Sequence, residues 1–334
     1  MSSMLIHVEN VPMAIAESDR DRVIGNLREL KDDVWELKSE NTKRAYHYDF
    51  NQYLVFCKDN GLPAMASDVN VTKTTCRAYL DYLMSTKLKH HTIRPKIASV
   101  RYFIGVSELP DPWKQSKLFA EYTNHKINQK PSRQSQAAPM RLENIDAINA
   151  QLDTDSLIGL RDAVIFNTAI DTIFRASNLL AIELHHIDFA KQRIFAPRSK
   201  TDKSGKGQYG YISTTTINFI DKWLTRTGIA DGPLLRKLSP KQTVQDTAMQ
   251  YHALLSRYKN IASLLNLAFK PSCHSTRVGG VVTMFERGVT LDQIQKAGGW
   301  TSSAMPMHYG EEFDVTKTGM ANVRERSLFY ENER

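Results

Sequence analysis

The stretch 128–139, Asn-Gln-Lys-Pro-Ser-Arg-Gln-Ser-Gln-Ala-Ala-Pro, constrains the fold of this chain more than any other. It has no apolar period, and two prolines bracket a polar run. That is the composition of a connection between domains. The chain on either side is periodic. Its 334 residues are more than one core comfortably holds. The expectation is therefore a leader over 1–17, a helical domain over 18–127, a linker over 128–140 and a second domain over 141–334.

Before the linker the period is helical. Val23, Leu27, Leu30, Val34 and Leu37 recur at spacings of four and three, which predicts a helix over 18–38. Asn41-Thr42 reads as the cap of a second helix, carrying Tyr46, Phe50, Tyr53, Leu54 and Cys57 and stopped by Asn60-Gly61. A third helix is predicted over 72–84 and a fourth over 91–104. The fourth has Ile93, Ile97, Val100 and Ile104 on one side and Arg94, Lys96 and Arg101 on the other.

Charge then becomes informative. Net charge is +8, but residues 1–40 hold 5 basic and 9 acidic groups while 41–140 hold 15 and 7. A basic helical bundle behind an acidic leader suits a polyanionic partner. Its apolar faces are taken up by the bundle, so DNA fits better than a membrane surface. Lys43, Arg44, Arg94, Lys96 and Arg101 are the candidate phosphate contacts, with His91 and Thr92 placed at a helix start to reach base edges.

After the linker the period is mixed. Helices are predicted over 141–151, 157–172, 175–183, 215–225 and 247–267. Between the third and fourth, residues 192–197 and 209–213 alternate as strands, joined by a Lys- and Gly-rich loop over 198–208. Ser272 reads as the cap of a helix ending at Gly288. Thr290-Leu-Asp-Gln293 is a capping box, and Gly298-Gly299 ends its helix. The fold class expected is mainly α: an all-helical DNA-binding bundle, then an α+β domain with one small sheet.

Several chemistries find no support. Cys57, Cys76 and Cys273 are odd in number and widely spaced, which suits neither a disulfide framework nor a zinc site, and a reducing cytoplasm is the natural compartment. His185-His186 are adjacent, so their side chains are expected to diverge, with no third ligand suitably spaced. No metal site is expected. The loop over 198–208 lacks the pattern of a nucleotide-cradling loop. No secretory leader or membrane-spanning run is read.

One stretch does carry chemistry. Between Pro271 and Tyr309 the chain gathers His274, Arg277, Trp300 and Tyr309, with Tyr309 nine residues after Trp300 and 32 after Arg277. An arginine fork and a histidine suit a phosphate, whose charge shifts onto non-bridging oxygens in the transition state. A tyrosine oxygen can form a covalent intermediate.

His274-Ser-Thr-Arg277-Val-Gly, Ala297-Gly-Gly-Trp300-Thr and Met307-His-Tyr309 together resemble the C-terminal signature of the tyrosine site-specific recombinases, closest to the Cre-type branch. Thr172-Ile-Phe-Arg175-Ala-Ser-Asn178 resembles the segment with that family's first catalytic arginine, and Ser199-Lys200-Thr201 its lysine loop. The resemblance implies Tyr309 as nucleophile and Arg175 and Arg277 as clamps on the phosphate. It implies His274 in proton transfer, Trp300 as a donor and Lys200 as general acid. It also implies a homotetramer on two double-stranded DNA sites with inverted repeats, needing neither metal nor ATP, in which a C-terminal tail helix, read over 316–328 with Met320, Val323 and Leu328 apolar, docks on a neighbouring protomer. Arg198 and Lys203 in the loop, and Gln250 at the start of a helix similar to the family's groove reader, join the expected DNA contacts. One departure is plain: Asn178 stands where the family usually has an acid. Two other readings compete: a tyrosine-dependent relaxing or end-resolving enzyme, and a DNA-binding regulator without catalysis.

Overall fold

The computed structural model describes residues 13–132, 136–197 and 207–310. The first twelve residues of the expected leader, the loop residues 198–206 and the expected tail helix at 316–328 lie outside the described residues. The chain divides into two compact units, Met1–Ser135 and Gln136–Arg334.

The first unit is built of helices. α1 (Glu17–Glu29) runs on through a π turn (Leu30–Val34) and a 3-10 turn (Trp35–Leu37), so the stripe predicted over 18–38 continues with changing pitch. α2 is Glu40–Asp59, and its cap is Ser39, whose side chain accepts from the Thr42 amide, rather than Asn41. α3 (Val69–Ser85) is capped by Asp68 and α4 is His90–Val106. Two further helices, α5 (Pro112–Gln115) and α6 (Lys117–Asn128), complete the bundle. Two two-residue strands, β1 (Met13–Ala14) and β2 (Met65–Ala66), pair in parallel. The core is aromatic: Phe50 stacks on Phe103 at 4.1 Å, and Tyr53 meets Tyr79 edge-on at 5.0 Å.

Lys96 corrects the sequence reading. It is 4% exposed, and its ammonium lies 2.8 Å from Asp49 on α2 and is hydrogen-bonded to Gln52. The reason is helical phase. Lys96 stands three residues after Ile93 and four before Val100, so it shares the face that packs on α2 and cannot point to a phosphate.

The second unit carries α7 (Leu142–Gln151), α8 (Leu157–Thr172), α9 (Ala176–Leu180), α10 (Thr214–Thr227) and α11 (Tyr251–Leu264). α12 (Ser275–Glu286), α13 (Leu291–Ala297) and α14 (Ala304–Tyr309) follow. α8 is buried over nearly its whole length and forms the centre. A three-stranded antiparallel sheet joins β3 (Ile187–Asp188), β4 (Arg193–Ala196) and β5 (Gln208–Tyr211). Its inner face lies on the end of α8, where Gly210 leaves room for Thr172 and Phe174 that a Cβ would take.

Three differences from the expected elements are instructive. The helix predicted over 175–183 ends at Leu180. The one predicted over 247–267 starts only at Tyr251, because β6 (Arg236–Leu238) and β7 (Val244–Ala248) form a hairpin there. The segment expected to close the linker belongs to the second unit. Met140 is fully buried, its amide donates to the Ser275 carbonyl at 2.9 Å, and Gly279 admits its backbone. Extended chain beyond a proline still buries an apolar side chain. No described helix is long and apolar enough to cross a membrane.

Candidate active site

Four pieces of the second unit bring the candidate side chains together. α8 ends at Thr172, and Ile173 then adopts a left-handed conformation with φ 46°. For a β-branched residue this is a true outlier, of the kind that costs about 1–3 kcal/mol and persists where surroundings enforce it. The turn it makes delivers Arg175, half-buried, at the head of α9. His274 sits immediately before α12 rather than on it, and Arg277 lies in that helix's first turn. α13 starts with the Thr290–Gln293 capping box and ends at Gly298; a Cβ there would strike the ring of Trp300. Short α14 carries Tyr309 at its last position.

The geometry is close. The Tyr309 hydroxyl lies 2.8 Å from His274 Nε2, with the two rings edge-on at 5.5 Å. The Arg277 guanidinium stacks on the Trp300 ring at 4.1 Å. Arg277 is fully buried and donates from Nη1 to the Ile173 carbonyl at 2.5 Å and from Nη2 to the Gly298 carbonyl at 3.0 Å. One side chain thus ties the turn before Arg175 to the turn before Trp300. Only two of its five N–H donors are used in this way. The Trp300 indole N–H is buried and has no hydrogen-bond partner among the described residues. Tyr309 is itself 5% exposed, packed with Ile173, Val278, Val281, Val282 and Ile294 of its own unit.

Charge in the site is one-sided. Burial first, then the charges of Arg277 and Arg175, hold the His274 imidazole below its ordinary value. It is therefore neutral near pH 7, and when protonated at Nδ1 its Nε2 accepts from the Tyr309 hydroxyl. Burial first, then Arg175, lowers the Arg277 guanidinium to about 10, with Tyr309 acting in the opposite sense. Arg277 remains cationic at neutral pH. Among the described residues no carboxylate is among the groups that shift either residue. Asn178, buried beside Ser177, contributes an uncharged amide. Two arginines, an unpartnered indole donor and a phenol hydrogen-bonded to imidazole suit attack on a tetrahedral oxyanion.

The structure brings together Arg175, His274, Arg277, Trp300 and Tyr309. Lys200, Arg198 and Lys203 lie outside the described residues. Gln250 is exposed at the head of α11. In the first unit Arg44, His91, Arg94 and Arg101 are exposed and Thr92 is half-buried. Arg101 also lies over Trp113 at 5.4 Å. Lys43 is half-buried between Glu36 at 2.6 Å and Glu40 at 2.9 Å, and these carboxylates raise its pKa. The His185 and His186 rings do not diverge: their centroids are 4.1 Å apart in a 3-10 turn, with the Glu183 carboxylate 3.3 Å from His185 Nδ1 and the Glu183 amide donating to His186 Nδ1. The Ile173 and Gly298 carbonyls, which hold Arg277, were not foreseeable from residue type, since any residue supplies a carbonyl.

Comparison with known proteins follows the same line. The phage integrase family matches residues 139–314. The chain belongs to that family. It is 25% identical to the recombinase Cre of Escherichia phage P1 over 97% of its own length and 99% of that protein. It is 23% identical to an integrase/recombinase XerD homologue of Selenomonas ruminantium, over 85% of each. Among solved structures, the XerH site-specific recombinase in a post-cleavage complex with a palindromic difH substrate superposes with a TM-score of 0.62, covering 95% of this chain and 91% of that one at 13% identity. A lambda integrase dimer bound to a COC' core site gives 0.53, covering 91% and 99% at 15% identity. The fold is that of the family's DNA-bound members.

Proposed function

We propose that this protein is a site-specific DNA recombinase that cuts and rejoins strands through a 3′-phosphotyrosyl link to Tyr309. The observation that carries the reading is the Tyr309 hydroxyl on His274, beside buried Arg277 and the free indole donor of Trp300. The Tyr309 oxygen attacks phosphorus and its proton passes toward His274. The bond from phosphorus to the 5′ oxygen breaks, and Lys200 supplies the proton that makes the leaving group a 5′ hydroxyl. Arg175, Arg277 and Trp300 donate to the non-bridging oxygens as charge develops there. The 5′ hydroxyl of the other strand then reverses each step and frees the tyrosine. One phosphoester replaces another throughout, so the cycle calls for neither ATP nor a metal.

The partner is double-stranded DNA with inverted-repeat sites, met in the cytoplasm. Four protomers act on two such sites. The first unit holds the backbone through Arg44, Arg94 and Arg101, with His91 and Thr92 toward base edges, and Gln250 reads from the second unit. Truncation after Asp314 should leave binding to one half-site intact and abolish cooperative assembly on two. Mobility shifts on one and two half-sites measure this, and unchanged cooperativity would remove the tail from assembly.

The reading is tested with a nicked substrate that loses its leaving strand on cleavage. Wild-type protein should accumulate a covalent adduct on a denaturing gel. Tyr309→Phe should bind with the same affinity and give none. An adduct persisting in the Phe variant would sink the assignment.

A further inference from the structure

Through two consecutive residues α11 touches α8, whose end leads into the turn before Arg175, and α12, which carries Arg277. Arg257 reaches α8: its Nε lies 2.9 Å and 3.0 Å from the two carboxylate oxygens of Asp162, and its Nη2 lies 2.6 Å from the second. Asp162 is fully buried, and the neighbouring Arg161 donates to the Arg236 carbonyl at 3.0 Å, so this end of α8 is pinned on two sides. Tyr258 reaches α12. Its hydroxyl shares a hydrogen bond of 2.9 Å with Thr276, the residue beside Arg277, while its ring meets Phe166 of α8 edge-on at 4.9 Å. Tyr258 is fully buried and Thr276 is 1% exposed.

The head of the same helix is open. Gln250, Tyr251 and His252 are exposed, and Leu254 is the first residue of the helix to enter the core. About two turns separate that exposed head from the pair at 257 and 258. A helix is stiff over such a length, so a displacement at its head is carried to both contacts.

We propose that α11 is the strut that sets the two catalytic arginines against each other, with Tyr258 and Arg257 as its positioning residues. Tyr258 fixes the first turn of α12 and hence Arg277 and His274. Arg257 fixes α8, whose far end makes the Ile173 turn and presents Arg175. DNA seated at the head of α11 thereby bears on the spacing of the two guanidinium groups. Cleavage then depends on what lies under Gln250 and Tyr251, and not on phosphate alone. This rests on the recombinase reading above.

The distinguishing property is a split between rate and affinity. Tyr258→Phe keeps the ring and its packing and removes only the hydroxyl. At saturating nicked DNA its single-turnover cleavage should slow about 5- to 20-fold, the scale of one buried hydrogen bond. Its half-site affinity should stay within about twofold and its melting temperature within a few degrees. Thr276→Val should slow cleavage equally, and the double variant should be no slower than either single one, because both delete the same contact. Arg257→Lys keeps the charge opposite Asp162 but loses the fork, and should show the same split. Wild-type rate in Tyr258→Phe would overturn the proposal. So would parallel losses of rate, affinity and melting temperature, which mark a structural role only. The wild-type adduct on the same substrate tests the recombinase reading independently. With that adduct present, failure of the contrast falls on the strut alone; without it, the reading fails and the strut with it.

Discussion

Lys96 in the first unit and Arg277 in the second are both buried cations, and the two are treated differently. In the helical bundle Lys96 is 4% exposed and is met by the carboxylate of Asp49 and the amide of Gln52. In the catalytic unit Arg277 is fully buried and is met by two carbonyls and the face of an indole. The carboxylate cancels the lysine's charge, so that charge serves only the packing of two helices. Carbonyl dipoles and a π face steady the arginine without cancelling it, which leaves a positive field for an incoming phosphate. Among the described residues this buried charge meets dipoles and a π face but no carboxylate, a costly arrangement that points to a ligand.

The contrast is broken most severely at Arg277. Arg277→Lys keeps a positive charge but cannot span the Ile173 and Gly298 carbonyls and still face a phosphate. Single-turnover cleavage should fall on the order of 10²- to 10³-fold, the usual loss for one transition-state donor, with half-site affinity within about threefold. Near-normal cleavage would show that the charge alone matters and the planar fork does not.

A smaller effect is expected at the neutralised cation. Lys96→Met leaves the Asp49 carboxylate without its partner in a largely buried position and should cost about 2–3 kcal/mol in denaturant unfolding. DNA affinity should change less than about twofold, because Lys96 never faces solvent. Lys96→Met with Asp49→Leu should recover most of the loss. A drop in DNA affinity without a drop in stability would reverse the assignment and return Lys96 to the DNA surface.

The smallest effect sharpens the comparison through His274. With its folded pKa held below the ordinary value, the folded state binds fewer protons than the unfolded one as pH falls through that window. This contribution to stability is present above about pH 6.5 and is lost as pH falls through the lowered folded value. NMR titration of the DNA-free protein should give His274 a midpoint below 6.5, and Arg175→Ala should move it upward. A midpoint at or above 6.5 would mean that the field at the site is already cancelled.

Much of this was legible in the sequence, and the parts that were not share a cause. The bounds of α8 and the Thr290–Gln293 capping box were readable because local chemistry fixes them. The five site residues were readable because they are side chains of unusual type at family spacing. Lys96 was misplaced because its chemistry outweighed its phase: a lysine reads as surface even between Ile93 and Val100. The β6–β7 hairpin was not expected, and the end of β7 fell inside the helix predicted from residue 247, because Gln245, Asp246 and Thr247 carry no alternation of apolar residues. The left-handed turn at Ile173 had no local signal. It depends on the Arg277 bond to its carbonyl, formed across 104 residues, and on Gly280 leaving space for its side chain.

The placement of Tyr309 has a consequence for mixtures. Its phenol is packed into the same unit that supplies His274 and Arg277, so on the proposed mechanism one chain furnishes the attacking oxygen and the groups that activate it. A chain lacking the phenol and a chain lacking the guanidinium should then not repair each other by sharing a duplex. On the proposed mechanism each broken strand is answerable to a single polypeptide, and a mixed population should cut in proportion to its intact members.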